Sequence, residues 1–178
     1  MGDPNLNRNL AGYCGIYCGA CDIYCLHVRG QQMQKEPSWA DLPEPFRKHL
    51  PFGPSPVKCQ GCRSDDVFAG CSHCGVRVCA KRRGIENSCV ECASYPCFRY
   101  GLLKLIALLM SVEKKLPHAR TRKAQRERMV ELRVDPWLTR QDTHWRCPQC
   151  QARYSWYANV CPACGKDLSA LDRFAVGG

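Results

Sequence analysis

The chain lacks any long apolar run. Its longest, Leu102 to Met110, is interrupted by Lys104, whereas a membrane span needs roughly 20 apolar residues, so the stretch is expected to be a buried core helix. An apolar leader is missing too. Met1 to Ala11 is polar and carries no signal-peptide core, which argues against export. No Ser-His-Asp or paired-carboxylate constellation is recognisable, which removes the usual signatures of hydrolytic catalysis. The bacterial ferredoxin run C-x2-C-x2-C-x3-C-P is absent, since Pro96 precedes Cys97 instead of following it. No long series of alternating strands and helices accompanies Cys14-x3-Cys18-x2-Cys21, so the matching spacing of radical S-adenosylmethionine enzymes carries little weight. A thioredoxin-like role for any Cys-x-x-Cys fails on the same ground.

Cysteine, by contrast, is abundant, at 16 of 178 residues. Five Cys-x-x-Cys pairs begin at Cys59, Cys71, Cys89, Cys147 and Cys161, and a sixth, Cys18 and Cys21, sits inside a longer cluster. Paired knuckles favour metal over the more even spacing of secreted disulfide frameworks. The expectation is a reduced, cytoplasmic protein.

The clearest motif is Cys147-Pro148-Gln149-Cys150 with Cys161-Pro162-Ala163-Cys164-Gly165, which reads as a zinc ribbon. A tight Cys-x-x-Cys turn offers two thiolates to one ion, and two facing turns complete a tetrahedron with Zn–S bonds of about 2.3 Å. Iron in a rubredoxin-like site is a variant, disfavoured because those knuckles lie further apart. Strands are expected near His144 to Arg146 and Arg153 to Tyr157.

The other candidate ligands are Cys14, Cys18, Cys21, Cys59, Cys62, Cys71, Cys74, Cys79, Cys89, Cys92 and Cys97, with Cys25 and His73 as further candidates. Cys14, Cys18, Cys21 and Cys25 fall on one stripe of an ideal helix, whose outer pair would stand roughly 16 Å apart, too far for one ion. A turn over Cys14 to Gly19 and a helix from about Ala20 to Lys35 resolve this. Structural zinc in four-cysteine sites, iron–sulfur clusters and redox-active thiols all remain open for this module. His73 sits between two ligands and reads more readily as a surface or second-shell histidine.

The formal charge of +10 counts every thiol as neutral, although metal ligands are thiolates. Sixteen thiolates would remove sixteen charges and four divalent ions would return eight, leaving +2. The basic character is then largely counter-charge, and net charge alone does not argue for nucleic acid.

Residues 1–12 read as a flexible lead-in. Residues 36–58 hold Pro37, Pro43, Pro45, Pro51, Pro54 and Pro56, a loop around one helical turn near Phe46 to Leu50. Little regular structure is expected between the knuckles, so metal would replace much of the apolar core. Phe98 to Leu116 reads as a helix ended by Pro117, and a second, basic helix runs from about Arg120 to Leu132. The stretch Lys114 to Arg140 holds nine Lys/Arg, either a phosphate-tracking face or, the preferred reading, a solvated face. Tyr154, Trp156 and Tyr157 could stack bases; covering the ribbon's only apolar layer is the preferred role.

The ordered set Tyr13-Cys14-Gly15, Cys18-x-x-Cys21, Lys58-Cys59-x-Gly61-Cys62, Cys71-x-x-Cys74, Cys79-Ala80-x-x-x-Gly84-Ile85, Cys89-x-x-Cys92 and Tyr95-Pro96-Cys97 resembles a family of bacterial and archaeal cysteine-rich proteins grouped as a domain of unknown function, DUF3795. Longer members also look like Trp137-Leu138, Trp145-x-Cys147-Pro148 and Ser155-Trp156-Tyr157, so the resemblance covers roughly residues 12–165. It implies metal binding and supplies no reaction. Cys25 departs from the family pattern. Without it the N-terminal part has eleven cysteines, which do not divide into sites of four, and His73, Asp22 or His27 could complete one.

The sequence therefore predicts a small, irregular, metal-stapled α+β protein. A cysteine-rich multi-metal module spans residues 12–112, a basic two-helix connector 113–140, and a zinc ribbon 141–168. Zinc is expected in the ribbon, and zinc or iron–sulfur in the module. The favoured function is a non-enzymatic zinc protein recognising a protein or nucleic acid, with no membrane partner. An iron–sulfur electron-transfer or assembly accessory is the alternative. An enzyme with an open metal site is the least favoured.

Overall fold

Turns that only glycine permits shape the first cysteine segment of the computed structural model, which describes residues 6–49 and 54–174. Gly15 adopts φ 92°, and a Cβ there would stand 2.7 Å from the Arg122 carbonyl oxygen. The turn can therefore lie directly against the helix that follows Arg122. Gly12 and Ile16 close it by a 2.9 Å backbone hydrogen bond. A 3-10 turn over Cys18–Ala20 leads to α1, Asp22–Gln32. Asp22 in the first turn of α1 matches the positive end of the helix dipole.

Part of the supposed lead-in is packed: Leu10 and Ala11 are buried. Its first five residues, and the Leu50 end of the expected Phe46 turn, lie outside the described residues. α2 is Glu44–His49. The knuckle region is more regular than expected, with α3 at Ala69–Ser72 and α4 at Gly75–Arg82. Val76 and Ala80, one turn apart, bury one side of α4.

The anticipated helix from Phe98 to Leu116 is broken. α5 is Phe98–Leu109 and α6 is Val112–Lys115, separated by Ser111 in a left-handed conformation at φ 51°. α7 is Arg122–Leu132. α8, Val134–His144, was not foreseen; its Pro136 sits in the first turn, where a missing N–H costs nothing. α7 and α8 pack together around Arg133 at φ 68°.

The α+β class is corrected. The fold is mostly helical, and β-structure among the described residues is limited to three isolated bridges, Ala11 with Tyr17, Arg146 with Arg153, and Val160 with Asp167. The two expected ribbon strands shrink to the single bridge between Arg146 and Arg153. A ligand-bearing turn is closed by its own short hydrogen bonds and needs no ladder.

One apolar cluster joins residues from all along the chain. Leu10, Tyr17, Ile23, Phe46 and Phe68 meet Met129, Trp137, Leu138, Trp145, Trp156 and Leu168. An apolar core thus exists alongside the thiols. A smaller cluster gathers Tyr13, Val76 and Ala80 with Cys14, Cys62, Cys74, Cys89, Tyr100 and Leu103 at its edge.

α5 overturns the buried-core expectation. At 100° per residue, Tyr100, Leu103 and Ala107 share one arc; Ala107 is buried, and Tyr100 and Leu103 pack on the smaller cluster. The opposite arc carries Phe98, Leu102, Leu105, Ile106, Leu108 and Leu109, all exposed, with Phe98 at 83% and Leu109 at 74%. The inner arc is already filled, so these side chains have nothing to cover them. No described helix is long and apolar enough to cross a membrane.

His118 is buried and stacked on Trp156 at 3.9 Å between centroids, and its Nδ1 shares a 2.7 Å hydrogen bond with the Tyr157 hydroxyl. Desolvation, helped by Arg122, pushes it down to about 3. The unfolded chain takes a proton near pH 6.5 that the native state refuses. Stability is therefore full above pH 6.5 and falls toward pH 3 by roughly 1.4 kcal/mol per pH unit. Asp22, pushed up to about 7 by burial, acts in the opposite sense and loses stability as pH rises. Chemical denaturation of His118→Phe at pH 7, 6 and 5 should give a shallower acid loss than the parent chain, whatever the absolute cost of the substitution. Equal slopes would contradict the neutral-histidine assignment.

Candidate metal centre

The C-terminal quartet is built from one turn used twice. Cys147 N–H donates to the Ala152 carbonyl at 2.9 Å, and Gln151 N–H returns to Cys147 at 2.9 Å. The second knuckle repeats this, Cys161 to Lys166 at 2.8 Å and Gly165 to Cys161 at 3.0 Å. Both turns exit through a positive φ, 60° at Gln151 and 74° at Gly165. The turns face each other, with Cys147 Sγ 3.7 Å from Cys164 Sγ and Cys150 Sγ 3.6 Å from Cys161 Sγ. All four sulfurs lie within 4.8 Å of one another. A tetrahedron with 2.3 Å Zn–S bonds has edges of about 3.8 Å. The four thiols thus match one thiophilic ion without rearrangement.

Electrostatics favour one thiolate at this spot, since the interactions with neighbouring thiols that lower Cys147 push Cys150 up to about 12. Burial pushes the Cys147 thiol up, but the backbone N–H groups of Cys150 and Gln149 and the thiols of Cys161 and Cys164 more than offset it, holding Cys147 down to about 7. The ribbon is fixed to the N-terminal turn by Trp156 N–H donating to the Ala20 carbonyl at 2.8 Å. Tyr154 and Trp156 are buried, and Tyr154 packs edge-on to Trp145 at 5.5 Å.

None of the sixteen cysteines is in a disulfide, and of the other twelve all but Cys25 fall into two neighbourhoods. Cys18 and Cys62 are a coupled pair in which Cys18 holds Cys62 down to about 7 while Cys62, burial and the charges of Cys21 and Cys59 raise Cys18. Burial, then the charges of Cys62 and Cys74, push Cys14 up to about 12. Burial, then Cys59, Cys62, Cys74 and Cys14, do the same to Cys71. These seven, Cys14, Cys18, Cys21, Cys59, Cys62, Cys71 and Cys74, are one electrostatically coupled group. Gly61, at φ 101° in the Cys59 to Cys62 knuckle, brings it against the Asn9 carbonyl, where a Cβ would stand 2.4 Å away.

Cys79, Cys89, Cys92 and Cys97 line a separate cavity of about 30 Å³. Cys25 stands apart: its thiol donates to the Gly19 carbonyl at 3.3 Å, and burial followed by Asp22 pushes it up to about 12. His73 follows directly on α3, as its C-terminal cap residue. The two neighbourhoods adjoin, since the charge of Cys74 also acts on Cys89, and seven thiols still do not divide into sites of four.

Sequence reasoning missed the cations that hold these loops. Arg77 Nε donates to the Cys62 carbonyl at 2.8 Å and Nη2 to the Ser64 carbonyl at 2.7 Å. Arg63 donates to the carbonyls of Ala11, Glu86 and Asn87 while lying 4.3 Å over the Tyr13 ring. Position next to a knuckle, as at Arg63, was the available signal.

Fold and site together define a helical, cysteine-rich protein with a group of four cysteines that can hold a metal ion. The family model described as protein of unknown function (DUF3795) matches residues 10–101, and the chain belongs to that family. No curated protein and no solved structure matches it.

Ligation must displace protons from the ribbon thiols, so acid competes with metal. Zinc affinity, measured by competition with a chromophoric chelator, should fall by tenfold or more from pH 8 to pH 6, most steeply once Cys147 is protonated below about pH 7. Cys164→Ser should release one metal equivalent. A pH-independent affinity would contradict thiolate ligation.

Proposed function

We propose that this protein is a non-catalytic, zinc-stapled interaction module, working in a reducing compartment, whose partner is an acidic amphipathic segment of another protein held on the outer face of α5. The observation that carries this is the apolar face itself. Phe98, Leu102, Leu105 and Leu109 follow a 4-3-4 spacing, the seam that a second helix fills. Exposed apolar surface of this continuity marks a contact site more than a solvated one.

Charge selects the occupant. Arg99 and Lys104 flank the face on opposite sides, Lys104 exposed, and neither is in an ion pair among the described residues. A second copy of this chain, packed isologously, would bring these cations together along the seam. An acidic segment would instead neutralise them.

Nucleic acid is less well supported. In the basic stretch Arg122, Lys123, Arg128 and Arg133 pair with Glu113, Glu127, Glu131 and Glu91. Tyr154 and Trp156, two of the aromatic rings able to stack on bases, are buried. The iron–sulfur accessory reading keeps one support, the seven coupled thiols, which exceed what one zinc takes.

Two synthetic amphipathic peptides with identical leucine faces, one flanked by Glu and one by Lys, test the reading by fluorescence anisotropy on the full chain. The Glu-flanked peptide should bind at least tenfold tighter, weaken with salt, and lose binding to Leu105→Asp/Leu109→Asp. Lys104→Glu should shift the preference at least threefold toward the Lys-flanked peptide. Equal binding, no binding, self-association in sedimentation, or capture by anionic vesicles alone would overturn it.

A further inference from the structure

We propose that Cys79, Cys89, Cys92 and Cys97 form one tetrathiolate metal centre, separate from the ribbon and from the seven-cysteine group, which anchors the N-terminal end of α5. The ligand class is a thiophilic metal group bound by four thiolates. A single zinc and a [4Fe–4S] cluster share that chemistry and both carry a net charge of −2 when so bound.

Three structural elements bring the four thiols to the walls of one cavity. No three of their sulfurs lie within 4.8 Å of one another as those of the C-terminal quartet do, so one ion would have to draw them together, whereas a cluster would fill the space between them. Cys79 comes from α4, on the turn between the buried Val76 and Ala80. Cys89 opens a 3-10 turn and Cys92 closes it, with Cys92 N–H donating to the Cys89 carbonyl at 3.3 Å. Cys97 is the N-cap residue of α5. All four line the same cavity of about 30 Å³, more than the roughly 10–15 Å³ that one water requires.

The surroundings await a negative charge. Arg83 Nη1 lies 3.1 Å from the Cys92 sulfur, donating to it. Arg126 is the second, independent observation. It is buried, at 5% exposure, and its Nε has no hydrogen-bond partner. No carboxylate pairs with it among the described residues. Its guanidinium lies 5.7 Å from the Tyr95 ring and 4.7 Å from the Tyr100 ring, two residues that line the same cavity. A buried cation without a counter-charge is costly. Thiols cannot supply that charge while protonated. Metal loading can: for zinc, it releases four protons, brings in two positive charges and leaves a dianion beside Arg126.

Cys97 and Tyr100 belong to both the centre and α5. Loading would therefore fix the first turn of the helix whose outer face was proposed above to dock a partner. The centre does not rest on that reading. Peptide binding lost with metal intact would sink the docking proposal alone, and metal stoichiometry tests the centre by itself.

The test is elemental analysis with an absorption spectrum on full-length protein purified without oxygen. Cys89→Ser and Cys97→Ser should each lose one metal group: one zinc equivalent, or four irons with the absorbance near 400 nm. The ribbon zinc should be retained, and Cys25→Ser should lose nothing. As a control for misfolding, the unaltered chain is alkylated before and after chelation. Cys79, Cys89, Cys92 and Cys97 should be protected together and become reactive together. Hydrogen exchange should rise in the first turn of α5 at the same chelator concentration. Full metal content in both serine variants, or independent alkylation of the four thiols, would overturn the proposal.

Discussion

Thiolates crowded into short turns repel one another, and this fold places most of its sixteen cysteines in such turns. Two ionised sulfurs about 4 Å apart in a partly buried site cost several kcal/mol unless a cation stands between them. The upward pressure on Cys14, Cys71 and Cys89 is burial joined to that repulsion. A metal ion reverses its sign. With an ion bound, the same turns would become rigid points from which α4, α5 and the C-terminal knuckles are positioned, and the C-terminal quartet, already near tetrahedral spacing, is the group that fits one ion.

Arginine complements the thiols in a second way. Irregular chain between knuckles exposes carbonyls that no helix or sheet satisfies. Arg63 and Arg77 supply five donors to such carbonyls and tie together segments far apart in sequence. Near the ribbon, Asp142 gathers Arg146, Arg153 and the Tyr17 hydroxyl. Several of the excess cations are thus engaged internally.

The C-terminal group of four cysteines was legible because its chemistry is local. Spacing within each knuckle dictates the turn, and two matching turns define a site. The turn at Cys14 to Gly19 was legible for the same reason, two glycines bracketing ligands that an ideal helix would separate. α8 was not, because its Trp137 and Leu138 look like a ribbon-family signature until their burial against Met129 and Tyr17 is seen. The exposure of α5 was hidden as well. A helix apolar on every side reads as core, and only the packing of Tyr100, Leu103 and Ala107 shows that one arc suffices. The division of eleven cysteines into seven and four depends on contacts between residues as distant in the chain as Cys14 and Cys74, which no spacing rule conveys.

Native mass spectrometry of the protein purified without oxygen tests the central claim most directly, that metal holds the thiol turns in place. The account predicts a folded monomer whose mass exceeds that of the bare chain by at least three metal groups, one for the ribbon and one or more for each of the other two thiol neighbourhoods. A compact, narrowly charged monomer at the bare mass, or at that mass plus a single zinc, would contradict it.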